Sequence, residues 1–190
     1  MVRRRKDPRM LDPAQYVSEP AAGRSCGTCT LCCKVFDVPV LAKPAGSWCT
    51  HCAPGRGCGI HETRPQHCRS FHCLWMTQPW LGPEWKPDRA KMVLTIDPGT
   101  KFMYVQVDPG HPGAWKREPY YRHLKSMAEA WLRLGRHVIV FHNKSGTVVL
   151  PDSDVPVGVF EPGDRLVARQ RATPTGPRIE VEKVSAAVPA

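Results

Sequence analysis

The sequence predicts an α+β protein in which an irregular, cysteine-rich N-terminal portion packs on a small unit of β-hairpins and one main helix. Three observations predict it. All nine cysteines lie between Cys26 and Cys73, and none follows. Residues 91–108 read as two β-rich runs around a turn. Residues 119–135 carry a single apolar stripe at helical spacing. A chain of 190 residues suits one domain, or one with a small satellite, better than two. Hydrophobic residues at 42% and charged residues at 23% are ordinary globular usage.

Four segments follow from this patterning. Residues 1–20 form a basic end expected to be flexible, 21–88 the cysteine-rich portion, 89–185 the α+β unit, and 186–190 a flexible tail. Within 21–88, Gly27, Gly46, Gly55, Gly57 and Gly59 with Pro39, Pro44, Pro54 and Pro65 break every helix or strand period. The exception is 65–71, where Pro65 opens a short helix that presents Cys68 above Phe71. Trp75, Trp80 and Trp85 are expected to cover the cysteines and join them to the rest.

In the α+β unit, runs at 91–97 and 101–108 flank Asp97-Pro98-Gly99-Thr100, a turn sequence, and so predict a hairpin. Pro119 stands at a helix start, Tyr120, Leu124, Met127, Ala128 and Trp131 share one face, and Gly135 supplies the stop. Runs at 137–142 and 147–150 form a second strand pair around Asn143-Lys144-Ser145-Gly146. Weaker strand signals lie at 165–169 and 179–184.

No apolar run is long enough to span a bilayer, and the first 13 residues are basic without an apolar stretch, which predicts a cytoplasmic protein with no membrane partner. Thiols seldom stay oxidised in that compartment, so nine of them point to metal first and to redox chemistry second. The spacing agrees. Cys26-x2-Cys29-x2-Cys32 and Cys49-x2-Cys52 are intervals at which a tight turn brings two sulfurs to one side. Cys58-x2-His61 places a thiol and an imidazole at the same interval, and Cys68 and Cys73 complete the set. Cys33, adjacent to Cys32, is the awkward member, because neighbouring side chains diverge and seldom share one ion. The candidate ligands are therefore Cys26, Cys29, Cys32, Cys33, Cys49, Cys52, Cys58, His61, Cys68 and Cys73. His51, His67 and His72 lack comparable spacing. Thiolate centres carry net negative charge, so Arg64 and Arg69, with Arg56, are candidate cations around the sulfurs.

The array Cys26-x2-Cys29-x2-Cys32-Cys33, followed by Gly57-Cys58-Gly59-Ile60-His61-Glu62-Thr63-Arg64-Pro65-Gln66-His67-Cys68-Arg69-Ser70-Phe71-His72-Cys73-Leu74-Trp75, resembles the YkgJ-type cysteine-cluster family, the zinc- or iron-chelating CxxCxxCC domain. The resemblance covers about residues 24–80. It implies a metal-chelating module, described as binding zinc or an iron–sulfur cluster, whose cellular role is mostly undefined. Members of that family often carry Tyr where His61 stands. The Cys49/Cys52 pair lies outside the minimal family pattern, which leaves an additional site or a redox-active thiol pair open.

Zinc and an iron–sulfur cluster both fit these ligands. The first three cysteines match the opening of a bacterial ferredoxin run, but the fourth is adjacent and no proline follows it. Three functions remain in contention. The first is a non-catalytic metal-binding module. The second is an iron–sulfur oxidoreductase or electron-transfer accessory protein with a protein redox partner. The third is a zinc-stabilised nucleic-acid binder that uses the Arg3-Arg4-Arg5-Lys6 arm and the net charge of +10. The sequence contains no GxGxxG, P-loop, HExxH or GxSxG signature.

Overall fold

The structure is a computed structural model that describes residues 19–161, 163–173 and 176–185. The expected flexible ends, with the Arg3-Arg4-Arg5-Lys6 arm, lie outside the described residues apart from 19–20. The chain is mixed α+β. Four short helices, α1 (Cys32–Val35), α2 (Gln66–Ser70), α3 (Leu74–Thr77) and α4 (Pro87–Ala90), precede one long one, α5 (Tyr120–Leu132). The two-residue strands β1 (Cys52–Ala53) and β2 (Gly57–Cys58) form a ribbon within the cysteine-rich portion.

The principal sheet contains β3 (Met92–Ile96), β4 (Met103–Val107), β5 (Val138–His142), β6 (Ser145–Val149) and β7 (Asp154–Val159) in sequential order. The expected first hairpin is β3–β4, paired from Met92 with Val107 to Ile96 with Met103. Asp97 closes its turn by accepting the Thr100 N–H at 2.7 Å. β4 and β5 are parallel, and α5 makes the crossover between them. α5 begins one residue after Pro119 and buries Tyr120, Leu124, Met127, Ala128 and Trp131, the stripe read from the sequence. Gly135, at φ +67°, ends it, with its N–H and that of Arg136 donating back to Leu132 and Trp131. The second expected pair is β5–β6. Its turn is tighter than the four residues anticipated, because Asn143 adopts φ +54° and His142 already pairs with Ser145.

Two findings depart from the sequence reading. The sequence predicts no strand where β7 lies, since Pro156 and Gly158 interrupt its pattern. It is an edge strand, where a missing N–H is tolerated, and its register shifts opposite Gly146 and Thr147. The weak signals at 165–169 and 179–184 are parts of one long hairpin, β8 (Arg165–Thr173) with β9 (Gly176–Val184).

Both faces of the sheet are apolar. On one, Met92, Leu94, Met103, Val105, Val107, Val138, Val140 and Val149 pack against α5 with Leu81, Trp85 and Trp115. On the other, Ile139, Phe141 and Val148 meet Leu166, Ile179 and Val181 of the β8–β9 hairpin. At the β3 edge of that second face, Val93 instead meets Leu31, Val35 and Met76 of the cysteine-rich portion. An ion pair reinforces this junction: the Lys34 ammonium donates to Asp108 at 2.6 Å, and Asp108, 5% exposed, also accepts the Gly110 N–H at 2.9 Å. Burial alone would raise the Asp108 carboxyl, but the Lys34 and Gly110 donors outweigh it and hold it below the usual carboxylate range.

Leu124 is fully buried between helix and sheet, so Leu124→Ala is expected to lower unfolding stability by about 2–5 kcal/mol in urea titration. A loss under about 1 kcal/mol would mean that α5 is not clamped on the sheet. Because the folded Asp108 carboxyl is depressed, its contribution is present above the unfolded value of about 3.9 and is lost as pH falls through the folded one. Asp108→Asn should therefore lose stability at pH 7 yet show a shallower decline than the unsubstituted protein below about pH 4. Parallel declines would remove the Lys34 pair from the account of acid sensitivity.

Candidate metal centre

The cysteine-rich portion wraps a cavity of about 600 Å³ at its junction with β3. Eight cysteines line it: Cys26, Cys29, Cys32, Cys33, Cys49, Cys58, Cys68 and Cys73. Local chain geometry explains the convergence. The Cys29 N–H donates to the Cys26 carbonyl at 2.8 Å and the Cys52 N–H to that of Cys49 at 3.0 Å, so each x2 pair sits on a closed turn. Cys32 and Cys33 open α1, Cys68 lies on α2, and Cys73 immediately precedes α3. Cys58 is carried in by β2, opposite Cys52 on β1. All nine cysteines are free thiols.

The ninth, Cys52, is not among the lining residues; its thiol is hydrogen-bonded to Thr30 and Cys33. His61 reaches the rim with its ring 64% exposed and its Nδ1 3.2 Å from Glu62 Oε1. That leaves Nε2 for another partner. His67 and His72 also line the cavity, and His51 does not. Arg64 and Arg69 line the cavity, whereas Arg56 lies in the β1–β2 turn and does not. Arg64 donates to the His61 carbonyl at 2.6 Å. Of the three tryptophans, only Trp75 covers the cavity. Trp80 and Trp85 pack instead against the main core, where Trp85 meets Tyr120 edge-on at 5.0 Å. Phe71 lies against Phe36 at 5.0 Å, and both line the wall.

The thiols crowd and desolvate one another. Burial raises Cys26, Cys29 and Cys68, with neighbouring sulfurs adding to the rise at Cys26 and Cys68 and Arg64 acting against it there. Burial and the proximity of Cys26 and Cys29 push Cys73 up to about 11, and burial with Cys33 pushes Cys52 to about 11. Cys33 is raised furthest, by a hydrogen bond to the Cys32 thiol and then by burial. Several thiolates can coexist in such a space only with a cation among them. Backbone donors act on three of the sulfurs: the N–H groups of Leu31 and Asp88 on Cys29, those of Trp75 and Met76 on Cys73, and that of Cys26 on its own sulfur. N–H···S contacts of this kind favour the charged form.

This donor chemistry fits a thiophilic metal. The spacing adds a constraint, because a single tetrahedral zinc holds its sulfurs about 3.8 Å apart, given Zn–S bonds of about 2.3 Å. Among the described residues, no three Cys, His, Asp or Glu side chains are grouped closely enough to enclose one ion. The sulfurs stand around a wall rather than at a point, so enclosing a mononuclear ion requires them to swing inward.

Two cations that the sequence reading missed support the wall. Lys43 is 5% exposed and donates to the carbonyls of Lys34, at 2.8 Å, and Phe36. Its ammonium thereby satisfies the end of α1 and places a buried positive charge beside Cys33, Cys49 and Cys32. Arg24 donates to the carbonyls of Trp75, Gln78, Pro79 and Leu81 and lies over the Trp75 ring at 5.0 Å. Neither position carries a sequence signal, because only the fold shows which carbonyls need a donor. Lys43→Met, which keeps the apolar stem, is expected to destabilise the protein by about 2–3 kcal/mol in urea titration by leaving two carbonyls without a donor. A change below about 0.5 kcal/mol would show that water replaces the ammonium there.

No family model matches the chain, and neither the curated proteins nor the solved structures include a significant match.

Proposed function

We propose that the protein is a metal-binding protein whose cysteine-rich portion holds zinc or an iron–sulfur cluster through thiolates, and that the metal stabilises this portion. The observation that carries the reading is the gathering of eight free thiols on one cavity, with backbone N–H groups directed at Cys29 and Cys73. The resemblance of residues 24–80 to the YkgJ-type cysteine-cluster family points the same way. The folding argument agrees. Four helices of four or five residues and a two-residue ribbon have little cohesion of their own, and metal binding adds directly to the folding free energy of such a segment. The bound metal would supply positive charge that makes several neighbouring thiolates compatible. Arg64 and Lys43 balance any remaining negative charge.

A second reading is an iron–sulfur oxidoreductase component or electron-transfer accessory protein. The match of Cys26-x2-Cys29-x2-Cys32 to the opening of a bacterial ferredoxin run supports it. The nucleic-acid reading rested on the Arg3-Arg4-Arg5-Lys6 arm, outside the described residues.

Anaerobic purification of the full chain, with zinc, iron and acid-labile sulfide assays and a visible spectrum, tests the proposal. Bound zinc without colour, or iron and sulfide with a brown chromophore, is expected. In either case Cys58→Ser and Cys68→Ser should lower metal content and melting temperature together. Protein that carries neither metal, takes up neither on reconstitution, and melts unchanged in strong chelator would overturn it.

A further inference from the structure

Most of the cavity wall is tied to the rest of the molecule. The Ala21 N–H donates to the Met76 carbonyl at 2.8 Å, and Arg24 donates to the carbonyls of Gln78 and Leu81, so the closed Cys26–Cys29 turn is joined to α3 and the buried Cys73. α1, which carries Cys32 and Cys33, buries Val35 in a cluster with Val93 and Met76 and is pinned through Lys34 to Asp108. The Cys49 N–H reaches the Cys33 carbonyl at 3.1 Å and the Gly55 N–H the Thr30 hydroxyl at 3.1 Å, which ties the β1–β2 ribbon to the same framework.

Residues 60–70 are the exception. Ile60, His61, Arg64, Cys68 and Arg69 line the cavity, yet no residue of the segment is buried. α1, α3 and α4 are no longer than α2, and each buries at least one side chain, whereas α2 buries none. The hydrogen bonds of the segment close within it: Thr63 N–H on Ile60, Cys68 and Arg69 N–H on Pro65, Arg64 on His61, Ser70 Oγ on Gln66. Among the described residues, no hydrogen bond or ion pair joins 60–70 to another part of the chain. The segment is held at its ends. At one, the Gly59 N–H donates to the His51 carbonyl at 2.8 Å, two residues after Gly57, whose φ of +136° suits glycine. At the other, Phe71 lies against Phe36 at 5.0 Å and leads into Cys73.

A stretch with local hydrogen bonds and no buried apolar anchor opens at low free-energy cost, and a five-residue helix adds little cohesion. Enclosing one ion requires part of the wall to move. Moving 60–70 breaks no hydrogen bond to the framework, while moving the Cys26–Cys29 turn, α1 or Cys73 breaks several. We infer that residues 60–70 are a flap on the thiol cavity, hinged at Gly57–Gly59 and at Phe71, that closes when Cys68 ligates the bound metal. This rests on the proposed metal-binding function and adds the moving part to it. Ligation sends the Cys68 thiol proton to solvent, and closure carries Arg64 and Arg69 toward the thiolate charge.

Hydrogen–deuterium exchange of the reduced full chain, read by mass spectrometry with and without zinc(II), tests the inference. Without metal, the amides of 60–70 should exchange faster than those of α1, α3 and β3. Saturating zinc should slow them by about tenfold or more. In Cys68→Ser, bound zinc should protect the framework and leave 60–70 fast, with the β3 amides reporting that the variant is folded. Protection of 60–70 equal to that of α1 in the metal-free chain, or fast exchange that bound zinc leaves unchanged, would overturn the flap. Slow exchange of 60–70 in zinc-bound Cys68→Ser would overturn its closure through Cys68. If that variant takes up no zinc, the unsubstituted chain decides alone. Zinc content is measured on the same samples: an unsubstituted chain that takes up none would overturn the closure, and the iron and sulfide assays then decide the proposed function separately.

Discussion

A five-stranded sheet with apolar residues on both faces needs two covers, and everything else in the molecule follows from how they are supplied. α5 is the main cover of one face, with Leu81, Trp85 and Trp115 packed beside its buried stripe from Tyr120 to Trp131. The second face is divided. The β8–β9 hairpin lies over β5 and β6, and the cysteine-rich portion takes the β3 edge at Val93. The candidate metal centre is therefore built against the sheet, not suspended from it. Leu31, Val35 and Met76 give the cysteine-rich portion a small apolar foot, and Lys34 pins it to Asp108.

Above that foot, polar groups hold the segment together. Arg24 and Lys43 satisfy carbonyls at the ends of helices too short to do so internally. Each is a buried or half-buried cation placed near thiols, so the groups that satisfy the backbone also bias the cavity toward negative occupants. The rise of the thiols on burial is the counterpart: the chain gathers sulfurs faster than it can neutralise them. A metal centre resolves both demands, which is the physical content of the function proposed for this protein.

Elements whose stability is local were legible in advance. The α5 stripe, the Gly135 stop and the Asp97–Thr100 turn all rest on interactions within a few residues, and the structure places each where periodicity and turn chemistry put it. β7 was not legible, since Pro156 and Gly158 are tolerated only because the strand is at an edge, a fact set by the sheet. Their proximity in sequence points Trp80 and Trp85 to the cysteines. The main core claims them, because Trp85 finds Tyr120 from α5 beside it.

For the site, the sequence alone determined the chemistry: nine thiols at short, repeated intervals in a stretch too broken by Gly and Pro to form a core. Residue type and spacing are covalent properties, and the thiol pattern on which the metal-binding proposal rests is written in them. Only the tertiary structure decided that eight of the cysteines line one cavity and Cys52 does not, and that Lys43 rather than Arg56 is the buried cation. Those outcomes depend on where distant segments meet, at Cys49 on Cys33 and at Ala21 on Met76, and no interval along the chain encodes a meeting point in space.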